Sequence, residues 1–187
     1  MPNEIVVGIS GASGVQYGIR LLEVLQNRAE THLIMSESAK LILKIETEYE
    51  VEDVTRLASH VHAPDDLAAP IASGSCQFVA MVIAPCSMRT LGAIANGISD
   101  TLITRVGDIC LKEGRKLILV PRETPLSLVH LRNMVKAKEA GAIIMPACPG
   151  FYSKPKNVSD VIDFIVGRVL DVLGIEHELY KRWEGVH

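Results

Sequence analysis

Short apolar runs alternate along this chain with longer segments in which apolar residues recur at helical spacing. Continuous apolar runs are typical of strands that are buried on both faces of a parallel sheet. The helical segments between them would cover the two faces, because parallel strands need long crossover connections. We therefore predict an α/β fold with a doubly wound, mostly parallel sheet of the Rossmann-like or flavodoxin-like kind. The predicted strands are residues 5–9, 32–35, 78–84, 116–120 and 142–145.

The predicted elements follow one another without a linker or an internal repeat. We therefore expect a single domain over residues 1–187, with a C-terminal tail from about residue 175 to 187. Residues 60–77 show neither an apolar run nor helical spacing, and we expect them to form a long loop that includes His60 and His62. Long loops are usually functional or mobile. The last helix is predicted over residues 158–173.

Composition excludes several classes of function. The net charge of −3 provides no basic field for nucleic acid. No apolar run approaches the ~18–20 residues of a membrane helix, and the N-terminus lacks the basic region of a signal peptide. The cysteines show no C-x-x-C spacing, which argues against a zinc site or a disulfide framework. We expect a cytoplasmic protein without a metal centre.

Small residues follow the first predicted strand and open the first helix. Gly11-Ala12-Ser13-Gly14 would let backbone N–H groups approach a phosphate at the helix N-terminus. The spacing is not G-x-G-x-x-G, and the second strand ends in Met35-Ser36 rather than in an acid, which disfavours a dinucleotide. FMN fits better, and Ser36 could donate to it. A tight turn and a plain helix N-cap are the alternatives.

Hydroxyl-bearing residues also follow the third predicted strand. The segment Pro85–Thr90 contains Ser87, Met88 and Arg89 and opens another helix, whose free N–H groups favour anions. A simple capped helix is again the alternative. Two such helix starts on neighbouring strands could form one crevice.

Charged residues cluster around the fourth predicted strand. Arg105 and Lys112 lie seven residues apart, so they can share one helix face, although such a face is often merely solvated. Arg122 and Glu123 stand between two prolines directly after the strand. Ligands of open α/β sheets bind at this edge. Charges of both signs at this position therefore suggest an anionic ligand and an acid that transfers a proton.

Two further residues stand out towards the C-terminus. Tyr152 follows the fifth predicted strand and so lies at the same edge of the sheet. Arg168 interrupts an apolar helical stripe, which predicts that it is buried against an anion. An Arg whose head reaches solvent is the alternative.

Long strings in a fixed order carry a resemblance over nearly the full chain: GISGASGVQYGIRLL, APCSMRTLGAIANGISDTLITR, DICLKEGRKLILVPRETPLSLVHLRNM, GAIIMPACPGFY and a final RW. In these the chain resembles the UbiX/Pad1 family of flavin prenyltransferases. The resemblance implies transfer of a dimethylallyl group from dimethylallyl monophosphate to reduced FMN without a metal. The product, prenylated FMN, would serve a UbiD-type decarboxylase. A homo-oligomer, a dodecamer, with active sites at subunit boundaries is also implied.

The same resemblance assigns roles to residues. Glu123 would protonate the departing phosphate, and Ser13 would relay a proton at the flavin nitrogen. Trp183 would lie in the tail close to the active site. FMN contacts are implied for Gly11, Ala12, Ser13, Ser36, Ser87, Met88, Arg89, Thr90 and Arg122, and contacts with the prenyl phosphate for Arg105, Lys112, Glu123, Tyr152 and Arg168.

Two other functions compete with this one. A flavin-dependent cysteine decarboxylase would share the FMN cradle, but it is expected to carry an active-site His and a P-x-M-N-x-x-M-W string, where this chain has Pro85-Cys86-Ser87-Met88-Arg89-Thr90. A non-catalytic flavin carrier would need neither Glu123 nor a second anion site. The pyrophosphate also stays open as the prenyl donor.

Overall fold

The computed structural model describes residues 4–185 of the chain. Its strands are β1 (Glu4–Ile9), β2 (Glu30–Met35), β3 (His60–His62), β4 (Ala80–Cys86), β5 (Lys116–Pro121) and β6 (Ile143–Ile144). They form one sheet in the order β3-β2-β1-β4-β5-β6, and every neighbouring pair is parallel. The predicted parallel α/β fold is confirmed. The strand order changes direction between β1 and β4, which is where such sheets bind ligands.

Seven helices cover the two faces of the sheet in the described residues. They are α1 (Gln16–Leu25), α2 (Glu37–Glu46), α3 (Val51–Thr55), α4 (Met88–Ala95), α5 (Leu102–Lys112), α6 (Leu128–Glu139) and α7 (Val158–Leu173). One buried cluster joins the sheet to α1, α2, α3 and α7, and a second joins it to α4, α5 and α6. Within β1, Ile5 and Val7 belong to the first cluster and Val6 to the second. Burial on both faces explains why the strands are continuously apolar.

The helix α1 lies unusually close to β4. A Cβ atom at Gly18 would overlap the carbonyl oxygen of Ala84 and the side chain of Ile9. Only glycine lets the two backbones approach this closely. The close contact places the start of α1 directly beside the carboxyl end of β4.

Two details of the predicted topology are wrong. His60–His62 are not loop residues but form the edge strand β3 beside β2, a strand of three residues that is too short to show a period. The third predicted strand, residues 78–84, is β4, which begins at Ala80 and continues through Pro85 to Cys86. The pairing of β4 with β5 shifts register between Ile83 and Cys86, and such an irregularity accommodates a residue without an N–H group.

No helix within residues 4–185 is both long enough and apolar enough to span a bilayer. After α7, the described residues 174–185 contain neither helix nor strand. They fold back onto that helix, where Tyr180 and Arg182 contact Asp171.

Candidate active site

The loops after β1, β2, β4 and β5 converge on one cleft at the carboxyl edge of the sheet. Its volume is about 500 Å³, in the range of small-molecule pockets. Every residue predicted to contact FMN lines it, together with Glu123. The lining residues are Gly11, Ala12, Ser13, Ser36, Ser38, Ile42, Glu46, Ser87, Met88, Arg89, Thr90, Arg122 and Glu123.

The buried side chain of Ser10 joins the two helix starts that the sequence predicts as anion sites. Its hydroxyl donates to the carbonyl of Pro85 at 2.9 Å and accepts from the N–H of Ser87 at 2.8 Å. Because β1 and β4 are neighbours, this link places the loop after β1 against the start of α4. The two predicted sites are therefore one crevice.

Serine side chains cap the helices that open on the cleft. Ser36 accepts from the N–H of Ala39 at 3.1 Å, and Ser87 accepts from the N–H of Thr90 at 3.2 Å. Capping uses one acceptor position of a hydroxyl, which also has a second acceptor position and a proton to donate. The hydroxyl of Ser36 can therefore cap α2 and still donate to a ligand.

Glycine brings the first loop close to α2. A Cβ atom at Gly11 would lie 2.5 Å from Cβ of Ser38, so a larger residue would displace the loop. Gly14 has a φ of +97°, which favours glycine. Its N–H donates to Oε2 of Glu46 at 2.8 Å.

Glu46 is a cleft residue that sequence reasoning missed. It ends α2, far along the chain from Gly14, and helical periodicity treats it as an ordinary last-turn residue. A carboxylate in the last turn opposes the helix dipole, so it needs a compensating partner. This unfavourable position of a carboxylate was the feature of the sequence that could have identified Glu46 as a cleft residue.

Arg122 and Glu123 line the cleft beside the first loop. Nε of Arg122 donates to the carbonyl of Ser13 at 3.1 Å, which ties β5 to the loop after β1. Oε1 of the exposed Glu123 accepts from the N–H of Thr124 at 2.9 Å. One carboxylate oxygen is thus held by the backbone while the side chain stays open to the cleft.

The phenol of Tyr17 and the thiol of Cys86, both near the cleft, are not activated. Burial raises the pKa of Tyr17, the Cys148 thiol raises it further, and the Arg122 guanidinium lowers it. Burial raises the pKa of Cys86 to about 12. A thiol in such surroundings is inert as a nucleophile, so the carboxylates are the titratable groups suited to proton transfer.

Arg105 and Lys112 share one face of α5, as predicted, but that face is not on the cleft. Nε of Arg105 donates to the carbonyl of Ala72 at 3.2 Å, and Lys112 pairs with Glu113 at 2.7 Å. Lys112 ends the helix just before β5 begins. It therefore lies towards the opposite end of the sheet from Glu123.

Tyr152, Arg168 and Trp183 belong to a third location, between α7 and the tail. The rings of Tyr152 and Trp183 meet edge to face at 5.7 Å. Arg168 is not buried, contrary to prediction, because its side chain is 48% exposed on the outer face of α7, beside Asp171 and Tyr180. None of these residues lines the cleft within one chain.

The described part of the chain offers no cluster of three or more His, Cys, Asp or Glu side chains that could hold a metal ion. Arg89, Arg122 and the starts of α2 and α4 bring positive charge to the cleft, and Glu46 and Glu123 bring negative charge. This combination can bind a phosphate-bearing ligand and hold a proton next to it.

Comparison with known proteins gives full-length matches. The family model described as Flavoprotein matches residues 2–170. "Flavin prenyltransferase UbiX" of Methanocaldococcus jannaschii is 57% identical over 96% of this chain and 98% of its own. The crystal structure of AnUbiX in complex with FMN and dimethylallyl pyrophosphate is 46% identical, with a TM-score of 0.98 over 100% of both chains. A dodecameric FMN-dependent UbiX-like decarboxylase from Escherichia coli O157:H7 is 46% identical, with a TM-score of 0.95 over 97% of this chain and 100% of that one.

Proposed function

The chain belongs to the UbiX/Pad1 family of flavin prenyltransferases, and on that premise we propose that it transfers a dimethylallyl group to reduced FMN in the cleft. The observation that carries the proposal is the convergence of the whole predicted FMN set on one cleft with Glu123 beside it. Neither the cysteine decarboxylase nor the carrier function is favoured, because two curated relatives that match along nearly the full chain, at 57% and 52% identity, are named flavin prenyltransferases.

The cleft suits FMN. The phosphate would lie against the N–H groups of the first loop and the start of α4, where a side chain at Gly11 would intrude. Arg122 and Arg89 supply positive charge on the lining, and Ser36 can donate a hydrogen bond. Met88 and Ile42 supply apolar surface for the ring system.

The reaction needs charge stabilisation and a proton. The C–O bond of the donor breaks and phosphate leaves as a prenyl carbon bonds to the central-ring nitrogen of the flavin, which gives up its proton. Ring closure then consumes the prenyl C=C bond: the alkene takes up a proton, its other end bonds to an adjacent ring carbon, and that ring carbon loses its own proton. Glu123 protonates the departing phosphate, and Ser13 relays the proton from the flavin nitrogen. Each charge-assisted hydrogen bond to the phosphate contributes roughly 1.5–3 kcal/mol. Several of them together can stabilise the charge on the leaving phosphate in place of a metal ion.

The cations for the prenyl phosphate come from more than one copy of the chain. In a single chain, Arg105 and Lys112 lie away from Glu123. This position supports a role in which they reach into the cleft of a neighbouring copy. Three other residues lie outside the cleft of their own chain and would face the prenyl phosphate in the cleft of a neighbouring copy: Tyr152, Arg168 and Trp183. We call these three residues the phosphate-side wall. The dodecameric relative from E. coli supports a dodecamer for this chain too.

The donor, the recipient and the compartment complete the proposal. Dimethylallyl monophosphate is the donor, although AnUbiX has been crystallised with the pyrophosphate. A UbiD-type decarboxylase receives the prenylated FMN. The four cysteines are unpaired among residues 4–185, which supports a reducing, cytoplasmic setting.

Phosphate release tests the proposal. Wild-type protein is incubated anaerobically with reduced FMN and the monophosphate or the pyrophosphate, and the released anion is quantified. We expect inorganic phosphate from the monophosphate only when reduced FMN is present. Release without flavin would indicate a phosphatase, and no release from either donor would overturn the assignment.

A further inference from the structure

The carboxylate of Asp171, in the last turn of α7, is the centre of the contacts that hold the tail. Its Oδ2 accepts from Nη1 of Arg168 at 2.8 Å and from the hydroxyl of Tyr180 at 2.6 Å. Its Oδ1 accepts from Nε2 of His177 at 3.0 Å and from Nη2 of Arg182 at 2.7 Å. One side chain on the helix thus binds three residues of the tail and one residue of its own helix.

The histidine contact has a defined direction. Nδ1 of His177 accepts from the N–H of Leu179 at 3.2 Å. The proton of the neutral ring therefore lies on Nε2 and points at Asp171. The side chain of His177 is only 1% exposed, so this contact lies inside the junction between tail and helix.

Asp171 is ionised in this setting. Burial opposes its ionisation, but hydrogen bonds from Arg182, Tyr180 and His177 outweigh burial and hold the pKa of the carboxyl well below its usual range. The side chain is 16% exposed. An anion that accepts several hydrogen bonds at once stabilises all of its donors in one geometry.

The tail that Asp171 holds leads to the proposed phosphate-side wall through an unbroken series of rings. Tyr180 packs on Phe164 with ring centroids 4.8 Å apart, Phe164 meets Tyr152 at 5.7 Å, and Tyr152 meets Trp183 at 5.7 Å. A Cβ atom at Gly167 would lie 2.6 Å from the ring of Tyr180, so the tail lies directly on the helix.

We propose that Asp171 is a positioning residue that docks residues 177–183 on α7 and so sets Arg168 beside Tyr180 and Trp183 against Tyr152 for recognition of the prenyl phosphate. This inference rests on the proposed function. Asp171 orients one guanidinium nitrogen of Arg168, and the remaining nitrogens stay available to an anion. Without the carboxylate, Arg168 and the tail lose their common anchor, and the phosphate-side wall loses its shape.

Asp171→Asn and Asp171→Ala test this in the full-length oligomeric protein. Asp163→Asn is the matched control, because Asp163 also lies on α7 but pairs with Arg20. Trp183 is the only tryptophan of the chain, so its fluorescence anisotropy and its quenching by acrylamide report tail docking without any substrate.

We expect lower anisotropy and stronger quenching of Trp183 in both Asp171 variants, and a KM for the prenyl phosphate raised about tenfold or more. The affinity for FMN should be unchanged, because the cleft is separate. In wild-type protein, the stabilisation of docking by Asp171 should be fully present above pH about 4 and should weaken progressively as the pH falls further, because the pKa of the carboxyl is lower in the docked than in the undocked tail. The Asp163→Asn control should behave as wild type.

The outcomes separate this inference from the proposed function. An Asp171→Ala protein with unchanged Trp183 fluorescence would overturn the docking role. Altered fluorescence with an unchanged KM would show that the tail is anchored but positions nothing, which also refutes the inference. Absence of prenyl transfer by the wild type would instead refute the proposed function, whatever the fluorescence shows.

Discussion

Replacing Arg122 by alanine should weaken FMN binding without unfolding the protein. Arg122 spends one donor, Nε, on the carbonyl of Ser13. Its two terminal nitrogens make no hydrogen bond within residues 4–185, and its side chain lines the cleft. A ligand phosphate or ring oxygen is the natural acceptor for those nitrogens, because the guanidinium carries five donors in a fixed fork.

The size of the effect follows from these contacts. One charge-assisted hydrogen bond contributes roughly 1.5–3 kcal/mol, and each 1.4 kcal/mol is about a factor of ten in Kd. The Arg122→Ala variant should therefore bind FMN about 10–150-fold more weakly. Loss of the contact with Ser13 should lower the free energy of unfolding by only about 0.5–1.5 kcal/mol.

Calorimetric titration with FMN measures the Kd directly, and urea unfolding measures the stability. Arg122→Lys should lie between wild type and alanine, because lysine keeps the charge but loses the fork. Arg132→Ala is the control, since Arg132 is exposed on α6 and does not line the cleft. An unchanged Kd in a folded Arg122→Ala protein would refute the reasoning.

Four further outcomes are expected. Glu123→Gln should keep FMN affinity but slow turnover by about 10²–10⁴-fold, whereas wild-type rates would exclude a proton role. Gly18→Ala should lower the free energy of unfolding by about 1–3 kcal/mol in urea titrations, because a Cβ atom there overlaps backbone. Burial lowers the pKa of His32 and of His62, so stability should fall as the pH drops below about 6.5, and a flat urea midpoint would contradict this. Activity should survive EDTA, whereas loss that added metal restores would overturn the metal-free reaction.

Contact between histidine rings adds to the effect of burial on this acid sensitivity. Nδ1 of His32 and Nε2 of His62 are 3.0 Å apart, so one proton can lie between them but two cannot. Nε2 of His32 faces Glu4, and His60 pairs with Glu30. His62→Gln removes the clash between two protonated rings and should reduce the pH dependence.

Periodicity was sufficient for the sheet because burial on both faces gives central strands a distinctive apolar run. It failed for β3, which is short and lies at the edge of the sheet, where a strand pairs with a neighbour on one side only. It also ended the third strand one residue before Pro85, although β4 includes this proline. Whether a strand tolerates a proline depends here on the irregular pairing with β5 and not on the residue itself.

The cleft was predictable where its residues follow a strand directly, since all parallel strands end at one edge. Glu46 ends a helix instead, and only the folded chain brings it to Gly14. Spacing placed Arg105 and Lys112 on one helix face, but it carries no information about which end of the sheet that face occupies. Arg168 shows the same limit, because an arginine within an apolar stripe can still point outwards.

The mass of the flavin after one anaerobic incubation decides whether the protein transfers a prenyl group. Wild-type protein is mixed with reduced FMN and dimethylallyl monophosphate, and the flavin is extracted for mass spectrometry. We expect a gain of one prenyl unit, absent when the protein is omitted and strongly reduced with Glu123→Gln. Recovery of unmodified FMN from protein that binds it tightly would refute prenyl transfer and favour a flavin carrier.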